Sequence, residues 1–294
     1  MTSQPSTHRL DVPGGRIHYE VRGSGPLLLV VGQPMTSEPF APLADQLAED
    51  HTVVTYDPHG LGRSTVDDST LPVTPEVQAD DLAAVIGAVG GAPADAVGSS
   101  GGAVAVLALA TRHPGLVRTV IAHEPPLTEL LPDARYVRTA VDDIEQAFRT
   151  GGSAAAWGGF VSLVILEGPV GEDGVPPASW PPAGQDAPEG QDGQQPAAPT
   201  EKQQADDELF FLRMLEPFTR YLPDVAALRT GQPRVVVGVG ETSQDELAVR
   251  AARVLADRLG EAAVPFPGDH GGFMADPAGF ADRVRSVLSR AAVG

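Results

Sequence analysis

Short apolar runs alternate with amphipathic stretches along most of this chain. Leu27 to Val31 and Val117 to Ala122 are almost continuously apolar, the pattern of strands buried on both faces. Thr52 to Tyr56, Ala94 to Val97, Arg234 to Val239 and Ala262 to Phe266 read as further strands. Leu10 to Val12 and Arg16 to Val21 flank Pro13-Gly14-Gly15 and predict a hairpin. Between these runs the apolar period lengthens toward 3.6. Ser37 precedes a helix carrying Phe40, Leu43 and Leu47 on one side. Thr74-Pro75 opens another, with Leu82, Val85, Ile86 and Val89 inside. Small residues from Ala103 to Ala110 predict a helix running to about Arg112. Ser243-Gln244-Asp245-Glu246 has the form of a capping box for a helix ending near Leu259, and Asp276-Pro277 starts a terminal one.

Strand–helix alternation predicts an α/β fold, a mostly parallel twisted sheet flanked by helices. The alternation breaks after Pro126. Residues 127 to 165 read as helical, as does the aromatic segment from Phe210 to Tyr221. Residues 168–200 are dense in Pro, Gly, Gln and acids, which predicts a flexible loop. The expected division is a core of 1–126 and 231–294 with a helical insertion, 127–230, lying over the sheet.

Composition narrows the possible partners. The formal net charge is −19, and Lys202 is the single lysine. Nucleic acid and anionic membranes both require clustered basic residues, so neither is expected. With no cysteine, disulfides and thiolate chemistry are excluded. The polar first nine residues lack the apolar segment of a secretory signal, so the expected location is cytoplasmic. No metal and no cofactor is expected, and nothing in the sequence sets an oligomeric state.

The chemistry gathers at Gly98-Ser99-Ser100-Gly101-Gly102, a G-x-S-x-G pattern between an apolar run and a small-residue helix. That is the form of a nucleophile elbow, a tight strand-to-helix turn that presents one serine hydroxyl at a sheet edge. Ser100 is the serine with flanking glycines in register. A serine hydroxyl is a weak nucleophile until a base takes its proton, so Ser100 requires a histidine oriented by an acid.

Four features together resemble the α/β-hydrolase superfamily: the Gly32-Gln33-Pro34-Met35 loop, Asp57…Gly60-x-Gly62-x-Ser64, the elbow, and the late Gly268-Asp269-His270 loop. The chain is most similar to the small esterase, lactonase and haloperoxidase-like members. The resemblance implies an α/β-hydrolase fold with a helical cap in 127–230 and a triad in the chain order serine, acid, histidine. Of seven histidines, only His270 follows the elbow and the candidate acids in a glycine-lined loop. His59 and His123 stand in loops at the same edge as weaker candidates. The usual acid position, three residues past Gly240, holds Ser243. The alternative position after the next strand holds Glu124, which is preferred, with Glu241 and then Asp245 left open.

By the same resemblance, the oxyanion hole takes the backbone N–H of Gly101 and that of Gln33, or of Met35 if the loop shifts. Asp57 and Arg63 read as loop structure. Met35, Trp157, Phe160, Phe210, Phe211 and Phe218 are candidates to line an apolar substrate pocket. The expected activity is cleavage of a small-molecule carboxylic ester or lactone through an acyl-enzyme. Acyl transfer, carbon–carbon hydrolysis and cofactor-free perhydrolysis use the same residues and stay open. A non-catalytic ligand-binding role is the remaining alternative. Dehalogenase and epoxide hydrolase chemistry would require aspartate at position 100.

Overall fold

The structure is a computed structural model and describes residues 4–175 and 199–289. Most of the expected flexible loop, residues 176–198, lies outside the described residues. In chain order the strands are β1 (Ser6–Val12), β2 (Gly15–Gly23), β3 (Leu27–Val31), β4 (Thr52–Tyr56), β5 (Thr65–Val66), β6 (Ala94–Ser99), β7 (Val117–His123), β8 (Arg234–Gly240) and β9 (Val264–Phe266). The helices are α1 (Ala41–Leu47), α2 (Pro75–Val89), α3 (Gly101–Arg112), α4 (Ala134–Val164), α5 (Glu201–Leu209), α6 (Leu215–Thr219), α7 (Val225–Leu228), α8 (Leu247–Leu259), α9 (Gly272–Ala275) and α10 (Pro277–Ser289). A π-helical turn, Phe210–Met214, joins α5 to α6.

Among the described residues one sheet runs in the order β1-β2-β4-β3-β6-β7-β8-β9, with β5 paired to β2. β1, β2 and β5 pair antiparallel, and β4, β3, β6, β7, β8 and β9 form the parallel part. Alternate side chains of β3 enter opposite cores. Leu27, Leu29 and Val31 pack with α2, α3 and α8, whereas Leu28 and Val30 pack with α1 and α10. Burial on both faces is why this strand reads as an unbroken apolar run. Thr74 caps α2 by accepting from the Val77 N–H, as the Thr-Pro pair predicts.

Two local expectations fail for tertiary reasons. Ser243 does not cap α8, whose N-cap residue is Glu246. Glu246 instead forms a β-bridge to Glu167, and the Gly168 N–H donates to the Asp245 carbonyl at 2.9 Å. These pairings hold 245–246 out of the helix. The long helical reading after Pro126 becomes α4, broken at Gly152, where φ is +74°.

Glycines decide how tightly the sheet meets α3. A Cβ on Gly98 would lie 2.3 Å from the Gly102 carbonyl oxygen, and one on Gly102 would lie 2.1 Å from the Val31 carbonyl oxygen. Both contacts are backbone against backbone, so neither is relieved by rotating a side chain. Gly87, exposed in the last turn of α2, has nothing within 4 Å of such a Cβ. Gly102→Ala is therefore expected to lower unfolding free energy by about 3 kcal/mol or more. Gly87→Ala should raise it by about 0.5–1 kcal/mol through helix propensity. Urea unfolding of both variants beside the wild type measures the two opposite signs.

Candidate active site

Three loops at the C-terminal edge of the parallel strands converge on one cavity, the usual place for a site in an open α/β sheet. The first is the turn between β6 and α3. Ser100 stands there at φ +56°, ψ −127°, a conformation costly for a residue with a Cβ. Its N–H donates to the His123 carbonyl at 3.0 Å, which ties the turn to the end of β7. Gly101 begins α3, so its N–H is one of the unpaired donors of a helix start.

The second loop follows β7. Glu124 is fully buried and has φ +47°, a left-handed backbone that costs a non-glycine residue about 1–2 kcal/mol. Its N–H donates to the Gly238 carbonyl at 3.0 Å, and Pro125-Pro126 follow it. Oε1 accepts from the Gly240 N–H at 2.8 Å and from the Ser243 hydroxyl at 2.7 Å. Oε2 lies 2.5 Å from His270 Nδ1. Burial pushes the Glu124 carboxyl up, but the His270 hydrogen bond, the charges on His123 and His270 in acid, and the Ser243 hydroxyl outweigh it. The result is a pKa of about 2.

His270 comes from the third loop, between β9 and α9. Asp269 shapes that loop, its carboxylate accepting from the Gly271 N–H at 2.9 Å. The Thr242 N–H donates to the Gly268 carbonyl at 3.0 Å and fastens the loop to the one after β8. A Cβ on Gly240 would sit 2.5 Å from Ser243 Oγ and 2.7 Å from the Gly268 oxygen, so only glycine lets these loops close on Glu124. An ionised carboxylate only accepts, so Nδ1 carries the proton shared with Glu124. Nε2 is left without a hydrogen bond among the described residues and is the nitrogen available to a reactant.

Ser100, Gly101, Gln33 and His270 all line this cavity, whose empty space is about 610 Å³ with its mouth included. No hydrogen bond joins Ser100 to His270 among the described residues. Catalytic contacts of this kind commonly tighten only when a ligand is bound. Gln33 is buried, and its side-chain amide donates to Met214 Sδ at 3.1 Å, a link from the β3 loop to the π-helical turn. The Gln33 backbone lies against Gly101, where a Cβ would come 2.7 Å from the Gln33 oxygen. Neither the Gln33 nor the Gly101 N–H donates to another backbone group in the loops of the described residues.

The other sequence-designated residues fall elsewhere. Glu241 is exposed and pairs with Arg283 at 3.4 Å, and exposed Asp245 pairs with Arg253 at 3.4 Å. Neither bonds to His270. Phe160 and Phe218 line the cavity, but Met35, Trp157 and Phe211 do not. Met35 packs toward the opposite core with α1 and α10. The Trp157 indole N–H donates to Asp207 at 3.0 Å, and its ring stacks on Phe210. Phe211 lies behind, between Phe148 and Trp157. The π turn changes the phase of this segment, so Phe210 rather than Phe211 faces the cavity. Leu163, Val164, Leu215 and Leu247 complete apolar walls that sequence periodicity does not single out. Among the described residues no lysine, arginine, aspartate or glutamate lines the cavity. The sequence reads Ser243 as a helix cap and His123 as a weaker histidine candidate; only the folded loops bring Ser243 to Glu124 and His123 to His270.

Asp57 behaves as its loop predicts. It accepts from the Ser37 N–H at 3.0 Å, the Ser37 hydroxyl at 2.7 Å, the Arg63 N–H at 2.8 Å and Arg63 Nε at 2.9 Å. The strand order, the elbow turn and the placement of the cavity are those of an α/β hydrolase. The chain belongs to this group: the model of the alpha/beta hydrolase family matches residues 27–283. It is a hydrolase related to the uncharacterized hydrolase YraK of Bacillus subtilis, with 29% identity over 288 residues covering 96% of this chain and 95% of the relative. Its fold is similar to that of a thermophilic esterase from Thermogutta terrifontis (TM-score 0.67, 19% identity, 98% of this chain and 99% of that one). It is similar too to Est816, described as an N-acyl homoserine lactone degrading enzyme (TM-score 0.65, 18% identity, 95% of this chain and 99% of that one). Among the described residues no helix is long and apolar enough to cross a membrane.

The depressed pKa of Glu124 has a stability consequence of definite sign. The folded state holds the carboxylate ionised down to about pH 2, whereas the ordinary value is 4.5. Its contribution is complete above pH 4.5 and is lost as pH falls toward 2. The full difference is on the order of 3 kcal/mol. Thermal unfolding of wild type and Glu124→Gln across this window should show the stability gap shrinking as pH falls. A gap independent of pH would contradict the depressed value.

Proposed function

We propose that this hydrolase is a serine enzyme that cleaves an uncharged carboxylic ester or lactone through an acyl-enzyme. The observation carrying this reading is the buried Glu124–His270 pair opening onto the cavity that Ser100 also lines. Ser100 Oγ attacks the carbonyl carbon as His270 Nε2 takes its proton, and Glu124 holds the resulting imidazolium through Nδ1. The Gly101 and Gln33 N–H groups receive the oxyanion, aided by the start of α3. Collapse breaks the acyl–oxygen bond, and His270 returns the proton to the leaving oxygen. Water then repeats the sequence against the acyl-enzyme and frees Ser100. In a lactone the leaving oxygen stays tethered to the acyl group, and the steps are otherwise the same. The fold shared with Est816 is compatible with that substrate class.

The walls support an uncharged substrate. A carboxylate brought into this cavity would find no lysine or arginine among the described lining residues. Removing such a charge from water without a partner costs several kcal/mol. Apolar acyl groups gain instead, by about 0.8 kcal/mol per buried methylene. α4 and the 210–219 segment contribute Phe160, Leu163, Val164, Phe210, Leu215 and Phe218 to the walls, which supports reading 127–230 as a cap over the nucleophile.

Three measurements test the reading. A fluorophosphonate probe should label the wild type at Ser100 and fail to label Ser100→Ala; equal labelling of both would refute the nucleophile. Glu124→Gln should lower kcat by about 10⁴-fold, by analogy with loss of the orienting acid in other serine hydrolases. Glu241→Gln and Asp245→Asn, both at exposed positions, should stay within about twofold of wild type. Across p-nitrophenyl esters, kcat/KM should rise about threefold to fourfold per added methylene until the cavity is filled.

A further inference from the structure

His123 is the last residue of β7 and is fully buried, yet the chemistry described above makes no use of its side chain. It touches each part of the site. Its carbonyl accepts the Ser100 N–H at 3.0 Å. Its peptide leads directly into Glu124. Its ring stacks against that of His270, with centroids 6.3 Å apart and planes 28° from parallel. A hydrogen bond of 3.1 Å joins Nδ1 to the hydroxyl of Ser99, the neighbour of the nucleophile. Phe266 and Phe280 meet the ring edge-on, at 5.6 and 5.3 Å between centroids. Nε2 has no hydrogen-bond partner among the described residues.

A buried ring nitrogen without a partner costs about 1–3 kcal/mol, which a phenylalanine in the same space would not incur. We propose that His123 is a positioning residue for Ser100, Glu124 and His270, and that it does so only as a neutral ring. The proposal rests on the serine hydrolase reading. Catalysis places a positive charge on His270, and Glu124 has one carboxylate oxygen for it, the other being held by Gly240 and Ser243. A second imidazolium beneath His270 would repel the first and compete for Glu124. Burial keeps His123 neutral by pushing its pKa down to about 4. The charged groups acting on it are Glu124 at the end of its own strand, which favours protonation, His270 from the β9–α9 loop, which opposes it, and Asp269 from the same loop, which favours it. Ser99 of β6, Phe266 of β9 and Phe280 of α10 bring no charge.

The decisive variant is His123→Phe, which keeps an aromatic ring and removes both nitrogens. With a p-nitrophenyl ester, kcat should fall roughly 10- to 100-fold from loss of alignment while KM stays within about twofold. Below about pH 4 the wild-type log(kcat/KM) profile should steepen as His123 takes its proton. The variant's profile should keep a single-proton slope. A histidine-labelled NMR titration of the wild type supplies a second test that does not depend on the variant folding. One imidazole should stay neutral down to about pH 4, and in His270→Ala its titration should move to higher pH because a repelling neighbour is gone. The proposal is overturned if His123 titrates in the ordinary histidine range, or if His123→Phe matches the wild type in kcat and in acid slope. If the wild type is not labelled by fluorophosphonate at Ser100, the hydrolase reading itself has failed and this proposal falls with it. Labelling that is intact while His123→Phe behaves as wild type overturns the positioning role alone.

Discussion

Everything at this edge of the sheet depends on keeping one carboxylate charged without water. Glu124 has no exposed surface, and an unpaired carboxylate there would cost several kcal/mol. Three donors prevent that: the Gly240 N–H, the Ser243 hydroxyl and His270. The first two belong to the end of β8 and the loop after it and the third to the loop after β9, so the carboxylate pins the loops after β7, β8 and β9 to one point. The left-handed turn at Glu124 and the absent Cβ at Gly240 are what let them meet. The same bonds that hold the charge down also fix the His270 tautomer, leaving Nε2 toward the cavity.

The elbow depends on backbone contact in the same way. Gly98 and Gly102 let α3 press on the β6 turn and on the Val31 carbonyl, and Gly101 lets the Gln33 backbone come alongside. Gln33 and Gly101 therefore line the cavity beside Ser100, and neither N–H donates to another backbone group in the loops of the described residues. Met214 holds Gln33 from the far side, so the β3 loop is fixed both by the core and by the helices above it.

What could be read from the sequence follows the range of the interaction. β3 and β4 match their apolar runs because burial on both faces writes itself into every position. Thr74-Pro75 marks the start of α2 because a cap is local. Ser243 misled for the opposite reason: its pattern is a capping box, but a buried acid more than a hundred residues earlier in the chain takes its hydroxyl. The sequence prefers Glu124 but leaves Glu241 and Asp245 open, since all three follow parallel strands. Only packing shows that one is buried against His270 while the others pair with Arg283 and Arg253 at the surface. Of the adjacent Phe210 and Phe211 only Phe210 reaches the cavity, because a π turn, which no residue type announces, changes the phase of the segment.

Placing the acid after β7 also changes what the loop after β8 can do. Freed from supplying a carboxylate, that loop gives one hydroxyl to Glu124 and then turns outward. Its next residues pair with the chain just past α4: the Gly168 N–H bonds to Asp245, and Glu246 bridges to Glu167. Arg250, one turn into α8, donates to the Gly168 carbonyl at 2.8 Å and pairs with Asp133 at the start of α4. Asp133 in turn accepts from the Val170 N–H at 2.8 Å. Both ends of α4 are thus fastened to the start of α8, whose Leu247 and Ala248 line the same cavity as Phe160 and Leu163 of α4. The loop that holds Glu124 through Gly240 and Ser243 thus leads directly into the α8 residues that line the cavity. A change in that loop would alter both substrate fit and the setting of His270.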